Sequence, residues 1–216
     1  MQFTRSKLDW LSAAVVVVAF GGLFFGRMMI YPVATASGTF LERLAAQAVA
    51  WDHGHRVMLL GMVGLIPAAL ALRRAMHAKA PWLVDIATAL TLVGAALGVG
   101  QFALDFAMLA AAQVDPPAAG EQFLAILRAQ PFVQFAFYTL PDLGQLGLIF
   151  FTIALWRQGP RWRVAASIVT LAAIAFLLGD MVGALAVRVG LGLMFVGFSV
   201  VAWTMVRQPA VETTPI

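Results

Sequence analysis

Six apolar stretches dominate this chain, each near or above the roughly 20 residues that a helix needs to cross a bilayer core about 30 Å thick. They run from about Leu11 to Ile30, from His55 to Leu72, and from just after Pro81-Trp82 to Ala112. Three more follow, from Pro131 to Trp156, Val164 to Val187 and Val189 to Met205. Only Arg188 separates the last two, which predicts a very tight turn at that residue. Within lipid the helix satisfies every backbone group inside its own segment, so strands are no serious rival. The expected fold is an all-α polytopic membrane bundle of six transmembrane helices over residues 1–207, with a disordered cytoplasmic tail at 208–216.

Composition agrees. Of 216 residues, 62% are hydrophobic and only 11% charged, with a mean hydropathy of +0.91, whereas soluble domains are about half apolar and about a quarter charged. Disorder, a coiled coil and a nucleic-acid-binding domain are excluded, and a soluble enzyme is a poor fit. With no cysteine there is no disulfide, thiolate nucleophile, Cys-ligated zinc or iron–sulfur cluster.

Basic residues set the expected orientation. With the N-terminus inside, one side takes Arg5, Lys7, Arg73, Arg74, Lys79, Arg157, Arg161, Arg163 and Arg207. The other side, or the membrane half nearest it, takes Arg27, Arg43, Arg56, Arg128 and Arg188. Nine of the 14 cations thus fall on one side, which places both termini in the cytoplasm of a bacterial-type plasma (inner) membrane. The same asymmetry explains the pI near 10.3 without a nucleic-acid partner. The first apolar run is too long for a signal-peptide core and is expected to be retained.

Two outer connections look structured. Thr39-x-x-Glu42 is a capping-box pattern, and Phe40, Leu41, Leu44 and Val49 mixed with Glu42, Arg43 and Gln47 suit a short helix lying at the interface. The connection from Asp115-Pro116-Pro117 to Gln130 repeats the idea with Phe123, Leu124 and Leu127. Trp10, Trp51, Trp82, Trp156, Trp162 and Trp203 all fall near expected membrane edges, as an aromatic belt requires.

A charge inside lipid costs about 2.5 kcal/mol or more, so each intramembrane ionisable residue raises a functional question. The candidates for a ligand site are Arg27, Arg56, Gln101, Asp105, Gln134, Tyr138, Asp142, Asp180 and Arg188, with Gln145 beside them. Threaded through six spans, they gather in the extracytoplasmic half. Gly94, Gly98, Gln101 and Asp105 follow a 4-3-4 step along one helical stripe, where the glycines admit a close neighbour. Pro141 removes an amide and crowds the Phe137 carbonyl, predicting a kink beside Asp142. Asp142, about 16 Å below Pro131 at 1.5 Å per residue, is expected to be the deepest acid and the unpaired one, fit for a proton carrier.

The run Asp52-His53-Gly54-His55-Arg56 is the densest polar segment. At a fraying helix start, His53 and His55 together with Asp105 or Asp180 would form a divalent-metal site for zinc, iron or manganese. Bis-His haem is disfavoured because His77 falls on the opposite side; His/Met haem leaves Met58, Met108 and Met181. No GxSxG, HExxH, GxGxxG or Walker pattern occurs. Three readings stay open. The leading one is a polar Asp/Arg/His pocket that binds a small molecule or lipid headgroup, serving proton-coupled transport or sensing. The second is a metal- or haem-dependent intramembrane enzyme or redox protein, and the third is a structural or complex-forming subunit locked by buried salt bridges.

Overall fold

A computed structural model of the chain describes residues 5–115, 117–178 and 183–207. They are mostly helical, with short turns between the helices and no strand among the described residues. The helices are α1 (Arg5–Met29), α2 (Tyr31–Thr35), α3 (Phe40–Ala46), α4 (Ala48–Met76), α5 (Pro81–Ala112), α6 (Pro117–Arg128), α7 (Pro131–Gln134), α8 (Leu143–Arg157), α9 (Arg163–Leu177) and α10 (Ala184–Val206). Between α7 and α8 the helical path continues through a π-helical turn, Phe135–Thr139, and a 3-10 turn, Leu140–Asp142.

Five helical segments are long and apolar enough to cross a membrane: Lys7–Met29, Ala48–Met76, Pro81–Ala112, Pro131–Arg157 and Leu185–Val206. The described part of α9 has 15 residues, about 22 Å at 1.5 Å per residue, and falls short of a bilayer core by itself. The long helices close a ring in which α4 packs between α1 and α5, α8 between α5 and α9, and α10 between α9 and α1. The α8–α9 contact is the thinnest of the six.

Small residues explain the closest contacts. A Cβ on Gly26 would sit 2.5 Å from the Gly54 carbonyl oxygen, and one on Gly22 2.7 Å from the Gly61 Cα, so α1 and α4 meet backbone to backbone. In lipid, where apolar burial no longer drives helices together, such close packing supplies the attraction. The second seam joins α5 to α8, where a Cβ on Gly94 would strike the Gly144 backbone. Gly98, placed on the same stripe by its spacing, faces Met62 of α4 instead.

At one end of the ring, α3 and α6 pack on α5. Their apolar faces form a small core of Val33, Leu41, Leu44, Trp51, Met108 and Leu124, with Tyr138 against its edge. The expected capping box forms: Glu42 N–H donates to the Thr39 hydroxyl (3.3 Å), and Thr39 N–H donates to Glu42 Oε2 (2.8 Å). The opposite end is tied by ion pairs, Arg74 to Asp9 at 2.8 Å and Arg73 to Asp85 at 2.7 Å. Buried Gln158 adds a link there by donating to the Met76 carbonyl (3.1 Å).

Several expectations need correction. The chain breaks at Gly183, whose φ of +101° suits glycine, and Arg188 lies inside α10 rather than forming the turn. The second span starts at Ala48, one residue after α3, not at His55. Trp51 and Trp162 are buried in the protein and leave the aromatic belt to Trp10, Trp82, Trp156 and Trp203, all exposed. The expected disordered tail at 208–216 lies outside the described residues.

Candidate polar cavity between the helices

The early start of α4 decides what the Asp52–Arg56 run can do. These residues belong to a continuous helix, where positions two apart differ by about 200° around the axis. His53 is therefore turned toward the surface while His55 is buried, and the two do not converge on one ion. Among the described residues no group of three His, Asp or Glu side chains is placed to hold a metal. Asp52 pairs with Arg56 one turn away at 2.9 Å on the surface of the helix.

His55 sits instead in an aromatic surround. Trp51 lies 4.0 Å away between ring centroids, with Phe102 and Phe106 edge-on at 5.8 and 6.1 Å. Its Nδ1 is 2.8 Å from the Trp51 carbonyl oxygen, and its Nε2 is 3.3 Å from Asp105 Oδ2. A carbonyl only accepts, which assigns a proton to Nδ1. Two lone pairs facing each other across the second contact would repel, so that contact calls for a proton as well, on either the imidazole or the acid. The Trp51 indole N–H donates to the Asp105 backbone carbonyl at 3.0 Å and fixes α4 against α5 at this depth. Asp105 thus finds a histidine as its partner.

A cavity of about 370 Å³ opens from His55 down the middle of the ring. Its polar wall carries Arg27 (α1), His55 (α4), Gln101 (α5) and Tyr138, with Asp142 and Gln145 further along. The far wall is apolar, built from residues such as Leu65, Leu148, Val169 and Met194. There Thr152 turns its hydroxyl to its own Leu148 carbonyl at 2.8 Å. The Tyr138 hydroxyl is buried and has no hydrogen-bond partner among the described residues. Among the described residues no carboxylate comes within ion-pair distance of Arg27, whose electrostatic neighbours are Asp105 and Arg188. Arg188 packs its guanidinium over the Tyr31 ring at 3.4 Å.

The expected kink forms beside Asp142, and its form follows from Pro141. With no amide at 141 and the Phe137 carbonyl crowded, the helix widens ahead of the proline. Leu140 N–H reaches back five residues to the Phe135 carbonyl, and the Thr139 hydroxyl donates to the Gln134 carbonyl at 3.4 Å. This turn carries Tyr138 and Asp142 into the cavity wall.

Of the nine residues singled out from the sequence, Arg27, Gln101, Tyr138 and Asp142 line the cavity, and Asp105 reaches it through His55. Arg56, Gln134 and Arg188 are not in its wall, and Asp180 lies outside the described residues. Asp142 is not the sequestered, unpaired acid expected: it keeps exposed surface and accepts a hydrogen bond from Gln145 Nε2 at 2.9 Å. The residue that sequence reasoning put to other use is His55, read as a metal ligand, because its depth depends on where α4 begins. No protein-family model, curated protein or solved structure matches the chain.

Proposed function

We propose that this chain is a multi-pass membrane protein whose central cavity binds a small molecule or lipid headgroup, with proton-coupled transport or sensing as its task. In this reading α9, ringed with the five long helices, is the sixth span. The basic residues near Arg74 face the cytoplasm, and α3 and α6 lie at the extracytoplasmic interface of a bacterial-type inner membrane.

One observation carries the reading: a polar-ended cavity lies inside the ring where a purely structural salt-bridge network would be filled and closed. Buried ion pairs are poor stabilisers by themselves, so a void bordered by Arg27, His55 and Asp142 is better explained by occupancy than by packing. The His55–Asp105 contact gives the wall a place to hold a proton.

The test is extraction and mass spectrometry of small molecules from the full chain purified in lipid nanodiscs. Ala173 lines the cavity from α9. Ala173→Phe fills it and is expected to lose a molecule that the wild type retains, while the protein stays monodisperse. Identical extracts from both proteins would refute the proposal.

A further inference from the structure

The shape of the cavity says more than its volume. Along α4 its wall is the stripe His55, Met58, Met62 and Leu65, ten residues from end to end, or about 15 Å at 1.5 Å per residue. The wall along that stripe below His55 is apolar, Met58, Met62 and Leu65, which suits an extended hydrocarbon chain. The other helices repeat the axial run: Gln145, Leu148 and Thr152 on α8, and Val187, Leu191 and Met194 on α10, step by threes and fours along one face each.

Charge is distributed unequally along this bore. Arg27 stands at the His55 end, since Gly26 beside it packs against Gly54 and Met58. Tyr138, whose hydroxyl has no partner among the described residues, and Gln101 stand there too. The Asp105 acid that would otherwise balance Arg27 is already against His55. Asp142 lies deeper, near Gly94, whose Cβ would sit 2.8 Å from the Pro141 carbonyl oxygen. Gly94 is eleven residues from Asp105, about 16 Å along α5. A cation at the His55 end and an acid about as deep as Leu65 favour an anionic head at the first and oppose one at the second.

Resting on the cavity-binding reading above, we infer that the ligand is a single-chain anionic amphiphile. Its carboxylate or phosphate head lies between Arg27 and the Tyr138 hydroxyl, and its chain runs down the Met58–Leu65 stripe. Arg27 supplies the charge-assisted bonds, Tyr138 donates one neutral bond, and the methionines conform to a flexible chain.

The experiment uses the full chain in nanodiscs and a diazirine-bearing dodecanoate as photoprobe, with the labelled residue found by peptide mass spectrometry. Labelling is expected on α4 or α8, within the Met58–Leu65 or Gln145–Thr152 segments. Unlabelled dodecanoate and dodecyl phosphate are the competitors that separate the two head chemistries. The better of them is expected to compete about tenfold more strongly than dodecanol, as a charge-assisted pair with arginine allows. Arg27→Gln should abolish that preference and Arg27→Lys should keep most of it. Tyr138→Phe should weaken competition several-fold without altering the protein's melting temperature. Equal competition by dodecanol, or stronger competition by dodecyltrimethylammonium, overturns the anionic class while leaving an occupied cavity. Labelling confined to lipid-facing residues and unchanged by Ala173→Phe overturns the cavity reading itself.

Discussion

Replacing Asp105 by asparagine should be far milder than replacing it by alanine, although both remove the charge. The reason lies in the proton inventory of the buried contact. His55 Nδ1–H is committed to the Trp51 carbonyl at 2.8 Å, so a neutral imidazole turns a lone pair toward position 105. An asparagine amide can donate to that lone pair and occupies nearly the same volume as the acid. Alanine leaves Nε2 without a partner at a site where His55 is only 3% exposed and Asp105 9%. An unsatisfied buried group of this kind costs about 1–3 kcal/mol, against less than about 1 kcal/mol for the asparagine exchange. At about 2 kcal/mol the folded-to-unfolded ratio falls by a factor on the order of 30. The measurement is reversible unfolding of the detergent-solubilised protein in sodium dodecyl sulfate, followed by circular dichroism. Removing both partners together, as His55→Phe with Asp105→Leu, should recover part of the alanine loss, since an apolar pair leaves nothing unpaired. The reasoning fails if asparagine destabilises as much as alanine, or if the double replacement costs the sum of its two single ones.

Two further predictions concern packing and capping. Gly94→Ala should lose about 1–3 kcal/mol or prevent folding, because its Cβ would lie 2.5 Å from the Gly144 Cα with backbone on the opposing side. Gly144→Ala on the facing helix has its nearest neighbour at 3.5 Å and should change stability little; the same unfolding titration separates the two. Thr39→Ala removes one half of the capping box and should cost about 1 kcal/mol, loosening α3 first, which amide hydrogen exchange over residues 40–46 would detect.

The helices were legible because their causes are local. A run such as Val15–Phe25 can only be helical in lipid, Thr39 and Glu42 satisfy each other within one turn, and Pro141 disrupts its own helix wherever that helix packs. What the sequence hid depends on choices made between segments. Arg188 reads as the break between the last two spans, whereas α10 begins just after Gly183, whose φ is positive, and carries Arg188 within it. His55 and His53 seemed equivalent until the start of α4 at Ala48 turned one inward and the other out. Gly94 and Gly98 share a stripe on paper, yet the ring places α8 against one and Met62 of α4 against the other.

The cavity itself follows from these packing choices. Glycine seams draw α1 onto α4 and α5 onto α8 until backbones touch, so those pairs cannot move inward to fill the centre without pulling apart. The widened turn before Pro141 then bends the fourth long segment, and the α8–α9 contact remains the thinnest in the ring. A void is the geometric remainder of tight pairs set around a bent member. The residues beside the bend, Tyr138 and Asp142, are polar ones that lipid would penalise. Were the void only a packing defect, apolar side chains would line its whole length, whereas Arg27, His55, Gln101, Tyr138, Asp142 and Gln145 belong to its wall. Those polar groups are the ground on which ligand binding is proposed for it.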